Sequence, residues 1–283
     1  MKEEPRKNES GIKELGKTSK TIFVDMDETL LDNAKFITER TKATIRVARR
    51  SGHKIVPCTG ACFAWHAPRC VGVDVDYMIA SNGGAAYQMK NGTYTSVLWE
   101  EEISHDIVKK ILHLGKGLCE VFILHAKDNW CNAKSEEEAM HFIKGRIITQ
   151  ITPQAKDFDR MVKFGELLQD FIKENDLRIA NKAKVFLEEK FIGGESGWLF
   201  YDVVKEGVSK GSAIKRFCKM YDIDKKDTIA IGDGLNDVAM FKEAGFGVAM
   251  GNSLWELKSI ANYVTDTNEE DGVAKFLENL TEL

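Results

Sequence analysis

Thr21-Ile22-Phe23-Val24-Asp25-Met26-Asp27-Glu28-Thr29 is the stretch from which the fold follows. Its first four residues are β-branched or aromatic and lack polar alternation. They read as a short strand covered on both faces, as in a parallel sheet. A helical pattern begins at Thr38, places Ile45 and Ala48 three apart, and stops at Gly52. His53 to Pro57 reads as the next strand and Tyr77 to Ala80 as a third. Strand, helix, strand at this spacing is a βαβ unit and implies an α/β protein. The end of the chain repeats the pattern, with helices expected over 209–220, 236–243 and 271–280 and strands over 228–231 and 247–250.

The middle reads differently. Tyr87 to Tyr94 has the look of a hairpin turning at Asn91-Gly92, the pair that tolerates positive φ at both turn positions. An amphipathic helix follows through Ile103, Ile107, Ile111 and Leu114, then a strand near Val121 to Leu124. The acidic runs Glu100–Glu102 and Glu136–Glu138 suit the first turns of helices, where negative charge meets the positive end of the dipole. Hairpins and helices in succession describe an α+β insert within an α/β host. The expected organisation is a discontinuous core domain over 20–84 and 192–283, an inserted α+β cap domain over 85–191, and a flexible tail over 1–19.

Composition narrows the function. The chain has 283 residues, 43% apolar and 30% charged, an ordinary globular balance that excludes a disordered chain. Forty Lys plus Arg against 44 Asp plus Glu give a net charge of −4, without the basic stripe of a nucleic-acid platform. No apolar run approaches the ~18 residues of a membrane span. The first 19 residues mix five basic with four acidic side chains and carry no hydrophobic segment, which is not the pattern of a secretory signal. Six cysteines without a pairing framework then read as reduced thiols of a cytoplasmic protein.

Four segments carry chemistry, each where a strand ends or a helix begins. They are Asp25-Met26-Asp27-Glu28-Thr29, Cys58-Thr59-Gly60-Ala61, Val208-Ser209-Lys210-Gly211 and Gly232-Asp233-Gly234-Leu235-Asn236-Asp237. In a right-handed βαβ unit the helix starts at the edge where the preceding strand finished. Asp25, Asp27, Thr59, Lys210 and Asp233 can therefore converge at the carboxyl edge of the sheet, where open α/β sheets bind ligands. Three carboxylates crowded together repel unless a cation lies between them, and an all-oxygen donor set suits Mg2+. Lys210 and the Thr59 hydroxyl are then placed to hold an anion, a phosphoryl group above all.

These segments resemble the four motifs of the haloacid dehalogenase (HAD) superfamily of aspartate-nucleophile phosphohydrolases, and most closely its Cof-type branch, subclass IIB. The first matches the pattern Asp-x-Asp-x-Thr and the fourth Gly-Asp-Gly-x-Asn-Asp. Ser81-Asn82-Gly83-Gly84, Gly247-Val248-Ala249-Met250-Gly251-Asn252 and Asn268-Glu269-Glu270-Asp271-Gly272 match at the level of the branch. The resemblance runs from about residue 20 to the C-terminus. It implies a Rossmann-like core with a cap inserted between the second and third motifs. It also implies that Asp25 attacks phosphorus to form an aspartyl-phosphate and that Asp27 serves as acid and then base. Mg2+ would be held by Asp25, the Asp27 carbonyl and Asp233. Thr59, Lys210 and Asn236, with Asn82 and Gly83 of the segment before the cap, would contact phosphate or substrate, and Asp237 would support them. Two residues depart from the branch. Glu28 stands where glycine is common, and Ala61 where arginine commonly follows Thr-Gly.

Cys58, Cys62, His66 and Cys70 recur every four residues, which invites a zinc reading. On a helix the first and last would lie roughly 18 Å apart, too far for one ion, and Pro57, Gly60 and Pro68 interrupt any helix there. Buried or half-buried thiols are the better reading. The expected function is a Mg2+-dependent phosphatase of small phosphorylated metabolites, sugar phosphates or phosphorylated cofactors. Its partners are the metabolite alone, with no nucleic acid and no membrane, and the sequence does not set the oligomeric state. Two rivals remain: a phosphomutase of the same cap class and a catalytically silent binding protein on the same fold.

Overall fold

The computed structural model describes residues 9–182 and 197–281. Thirteen strands are present among them: β1 (Thr21–Val24), β2 (Lys54–Pro57), β3 (Tyr77–Ala80), β4 (Ala85–Lys90), β5 (Thr93–Glu100), β6 (Val121–His125), β7 (Trp130–Ala133), β8 (Gln150–Ala155), β9 (Leu177–Lys182), β10 (Leu199–Lys205), β11 (Thr228–Gly232), β12 (Phe246–Ala249) and β13 (Tyr263–Val264). β13-β12-β11-β1-β2 form a five-stranded sheet whose pairs are all parallel. All four residues of β1 are buried, and Phe23 meets Phe217 edge-on at 5.6 Å between ring centroids. That pairing fastens the helix Lys210–Met220 to one face of the sheet. Burying each such ring contributes about 2–3 kcal/mol. The helices Glu39–Arg50 and Gly272–Thr281 pack on each other, with Ile45, Phe276 and Leu277 in the same core as Ile22 and Val24.

A second sheet, β7-β6-β8-β10-β9, is antiparallel. Helices His105–Leu114, Glu136–Ile143 and Phe158–Glu174 contribute to its separate core, which gathers Val108, Ile111, Phe142, Phe164 and Leu168 with Leu124, Ile151 and Val203. The third sheet, β3-β4-β5, is also antiparallel and joins the end of β2 through a bridge between Cys58 and Ile79.

Three sequence expectations shift. The hairpin forms as expected, with Asn91 and Gly92 at φ 48° and 78°, yet it pairs with β3 and buries Tyr87 and Met89 in the core beneath the parallel sheet. Placing it in the cap follows from a turn signal that is local and carries no information on which sheet the hairpin joins. Conversely, 199–205 falls within the expected core segment 192–283, but β10 lies between β8 and β9 of the second sheet. The residue 191/192 boundary itself lies outside the described residues. Thirdly, 9–16 of the supposed tail is a helix that packs on Gly272–Thr281, with Ile12 fully buried and Leu15 against the same core. Its alternating charges masked an apolar pair three residues apart, which is one helical face. Among the described residues, no helix is long and apolar enough to cross a membrane.

Candidate active site

β1, β2 and β11 end side by side, so Asp25, Thr59 and Asp233 leave the sheet at one edge. The chain turns there because Leu30 and Leu31 donate their N–H groups to the carbonyls of Asp25 and Met26. Glu28 sits on that turn at φ 57°, ψ 10°, exposed. This left-handed backbone is what glycine adopts without cost, so the departure from the branch pattern stores about 1 kcal/mol. The helix carrying Lys210 begins at the same edge, its first turn closed by a reciprocal Ser209–Ser212 capping box.

Lys210 is buried, and its ammonium donates to Asp25 Oδ1 at 2.5 Å and to Asp237 Oδ1 at 2.7 Å. The other oxygen of Asp237 accepts the backbone N–H groups of Asp233 and Gly234 at 3.0 and 2.9 Å. Asp237 therefore holds the Asp233 loop and the lysine in one grip. Thr29 donates its hydroxyl to Asp233 Oδ1 at 2.9 Å. One carboxylate oxygen from each of Asp25, Asp233 and Asp237 lies within 4.8 Å of the others. Burial is the largest influence on Asp25. With the Asp237 and Asp233 carboxylates it raises that carboxyl well above the usual range, against the pull of Lys210. Burial disfavours the charged form of Lys210, but Asp237 and Asp25 outweigh it and raise its pKa. The cluster is thus an all-oxygen, anion-rich pocket whose charge one lysine does not cancel, and a divalent cation fits it. Both Asp237 oxygens are already engaged, one by Lys210 and the other by two backbone N–H groups.

Asp27 does not join this cluster. Its carboxylate is half-exposed, with Lys35 Nζ 3.1 Å from Oδ1 and His66 Nε2 3.2 Å from Oδ2. Burial works against its ionisation, but the His66 ring and then Lys35 outweigh that and hold the carboxyl well below its ordinary range. Thr59 is buried, with its Oγ1 accepting the Ala61 N–H at 3.0 Å and lying 2.7 Å from His66 Nδ1. Cys58 beside it is fully buried, which raises its pKa and leaves an unreactive thiol.

Asn82 links the second sheet to the loop after β11. Its amide nitrogen donates to Gln150 Oε1 at 3.0 Å and Asp202 Oδ2 at 3.1 Å, while its oxygen accepts from Asn236 at 3.0 Å. Gly83 takes another part. At φ 102°, an added Cβ would stand 2.2 Å from the Ser209 carbonyl oxygen, so glycine is what lets this loop pack on the start of the Lys210 helix. Sequence reasoning missed Thr29, although it completes the first motif, and His66, which was weighed only as a zinc ligand. It also missed the second-sheet residues Gln150, Thr152, Asp202 and His125, which have no local signal. Thr152 donates to Asp202 Oδ1 at 2.7 Å, and burial leaves His125 neutral with its pKa near 3.

The chain belongs to the haloacid dehalogenase-like hydrolase family, whose model matches residues 22–277. It is a phosphatase of that type. Among curated relatives, the 5-amino-6-(5-phospho-D-ribitylamino)uracil phosphatase YcsE of Bacillus subtilis is 27% identical over 269 residues, which cover 90% of this chain and 93% of YcsE. The fold is shared with TM0651 from Thermotoga maritima at a TM-score of 0.73 and 21% identity, covering 92% of this chain and 97% of that one. It is shared as well with the HAD subclass IIB sugar phosphatase BT4131, at a TM-score of 0.68 and 21% identity, covering 94% of this chain and all of that one.

Proposed function

We propose that the protein is a Mg2+-dependent phosphatase that hydrolyses small phosphorylated metabolites, sugar phosphates or phosphorylated cofactors, through an aspartyl-phosphate on Asp25. The observation that carries this reading is the buried Asp25–Lys210–Asp237 chain beside Asp233, an anion-rich cluster in which Asp25 would be the nucleophile. Asp25, Asp233 and the Asp27 carbonyl would hold Mg2+, which when bound offsets charge between the attacking carboxylate and the phosphoryl group. Asp25 attacks in line, converting one hard displacement into two easier ones. Lys210 and Thr59 hold non-bridging oxygens as these gain charge, and Asn236, steadied by Asn82, completes the cradle.

Asp27 protonates the leaving oxygen and later takes a proton from the attacking water. Lys35 and His66 keep it ionised in the arrangement described, ready for the second role. Entry of a phosphoryl dianion raises its proton affinity for the first. The second sheet with its helices, drawn from the described residues 101–182 and 197–205, serves as the cap that excludes water and reads the leaving group. Gln150 and Asp202 meet the core at Asn82, Thr152 holds Asp202, and the three would face that group. The names of YcsE and BT4131, one acting on a ribityl phosphate and the other on sugar phosphates, support a polyhydroxylated substrate. A phosphate-release screen over phosphorylated metabolites with Mg2+ tests this. Release from a subset of polyol or sugar phosphates is expected, and no release across the panel would overturn it.

A further inference from the structure

His66 belongs to none of the four motifs, yet it touches two of the groups assigned to chemistry. It closes the short helix Phe63–His66 and has no exposed surface. Nδ1 lies 2.7 Å from Thr59 Oγ1. Nε2, on the opposite side of the ring, lies 3.2 Å from Asp27 Oδ2, within charge-pairing reach but off the line of a hydrogen bond. A buried ring nitrogen with no aligned partner costs free energy unless a small movement supplies one. The Asp27 carboxylate is half-exposed and is the group able to turn toward it.

The Thr59 side matters equally. A hydroxyl has one proton and two lone pairs, and the Ala61 N–H already occupies one lone pair. A ring carrying its proton on Nδ1 fills the other, so the Thr59 hydrogen is left pointing outward for a phosphoryl oxygen. A ring bare at Nδ1 takes that hydrogen for itself.

We propose that His66 is a positioning residue that couples the phosphate-holding hydroxyl of Thr59 to the acid/base carboxylate of Asp27, one ring nitrogen serving each. The second and first motifs are thereby braced against each other through a side chain 39 positions from Asp27 and seven from Thr59. The proposal rests on the phosphatase reading above, in which Thr59 holds phosphate and Asp27 transfers the proton.

Two substitutions separate the halves of the ring, because asparagine places its amide near the position of Nδ1 and glutamine reaches that of Nε2. His66→Asn keeps the Thr59 side. Its KM and its inhibition by inorganic phosphate should stay near wild type while kcat falls about 10- to 100-fold, more steeply for poor leaving groups. His66→Gln keeps the Asp27 side. Its KM and its phosphate inhibition constant should rise about tenfold, the value of one hydrogen bond, with a smaller loss in kcat. Equal losses in both variants, or a fall in melting temperature with kinetics unchanged, would overturn the coupling. Should neither variant fold, 15N spectra of the wild-type imidazole decide. The His66 ring signals should move on saturation with inorganic phosphate and Mg2+, and unmoved signals would count against the proposal. A wild-type protein inactive on every phosphoester would instead remove the phosphatase reading, a different and recognisable failure.

Discussion

Asp237→Asn changes one atom in the most constrained side chain of the site, and its cost follows from geometry. One carboxylate oxygen takes the Lys210 ammonium and the other takes two backbone N–H groups. An amide has only one acceptor. With that oxygen toward Lys210, the NH2 faces the N–H groups of Asp233 and Gly234, and two donors lose their partner at roughly 1–3 kcal/mol each. With the amide reversed, the NH2 faces a buried ammonium, and breaking such a pair from one side costs about 3–5 kcal/mol. Either orientation costs a similar amount, so a loss of about 3–5 kcal/mol is expected. For a chain near this size that corresponds to a melting temperature lower by roughly 10 °C. Urea unfolding of both proteins at pH 7 measures the difference. A change below about 1 kcal/mol, the size of an ordinary surface substitution, would show that Asp237 does not hold both Lys210 and the Asp233 loop.

Chelation by EDTA should abolish phosphate release and excess Mg2+ should restore it, whereas activity indifferent to EDTA would remove the metal from the mechanism. Asp202 is pushed up to about 6 by burial, against the Thr152 and Asn82 hydrogen bonds and Lys210. With an unfolded value near 3.9, the folded state binds this proton more tightly, so stability falls as pH rises from about 4 through about 6, by up to about 3 kcal/mol. Asp202→Asn should lose that slope, and melting curves that run parallel for the two proteins from pH 4.5 to pH 7 would contradict it. Gly83→Ala combines a positive φ with a 2.2 Å approach to the Ser209 carbonyl and should cost about 2–5 kcal/mol in urea, and an unchanged midpoint would show that the loop has room to yield.

The parallel sheet was legible because its strands are short apolar runs that end in chemistry-bearing loops. Thr21–Val24 delivers Asp25 and Thr228–Gly232 delivers Asp233. The handedness of βαβ units then placed Lys210 at the same edge, where its ammonium bridges Asp25 and Asp237. Legibility stopped where partners are set by long-range packing. Asp27 was expected to join its fellow acids, but its side chain turns to Lys35 and His66. The four-residue spacing of Cys58, Cys62, His66 and Cys70 drew His66 into a metal question, while its actual neighbours come from other turns of the chain. Gln150, Thr152 and Asp202 alternate with apolar residues on two strands of the second sheet, and nothing local in those strands points to Asn82. In the segment 9–16, charge of both signs concealed Ile12 and Leu15, whose burial depends on the last helix of the chain.

The covalent role of Asp25 is tested most directly by acid-quenching the wild-type enzyme during turnover of a radiolabelled phosphoester with Mg2+ and mapping the labelled peptide. One labile phosphoryl group is expected on the peptide containing Asp25 and none in Asp25→Asn. Label on another residue, or full turnover by Asp25→Asn, would contradict it.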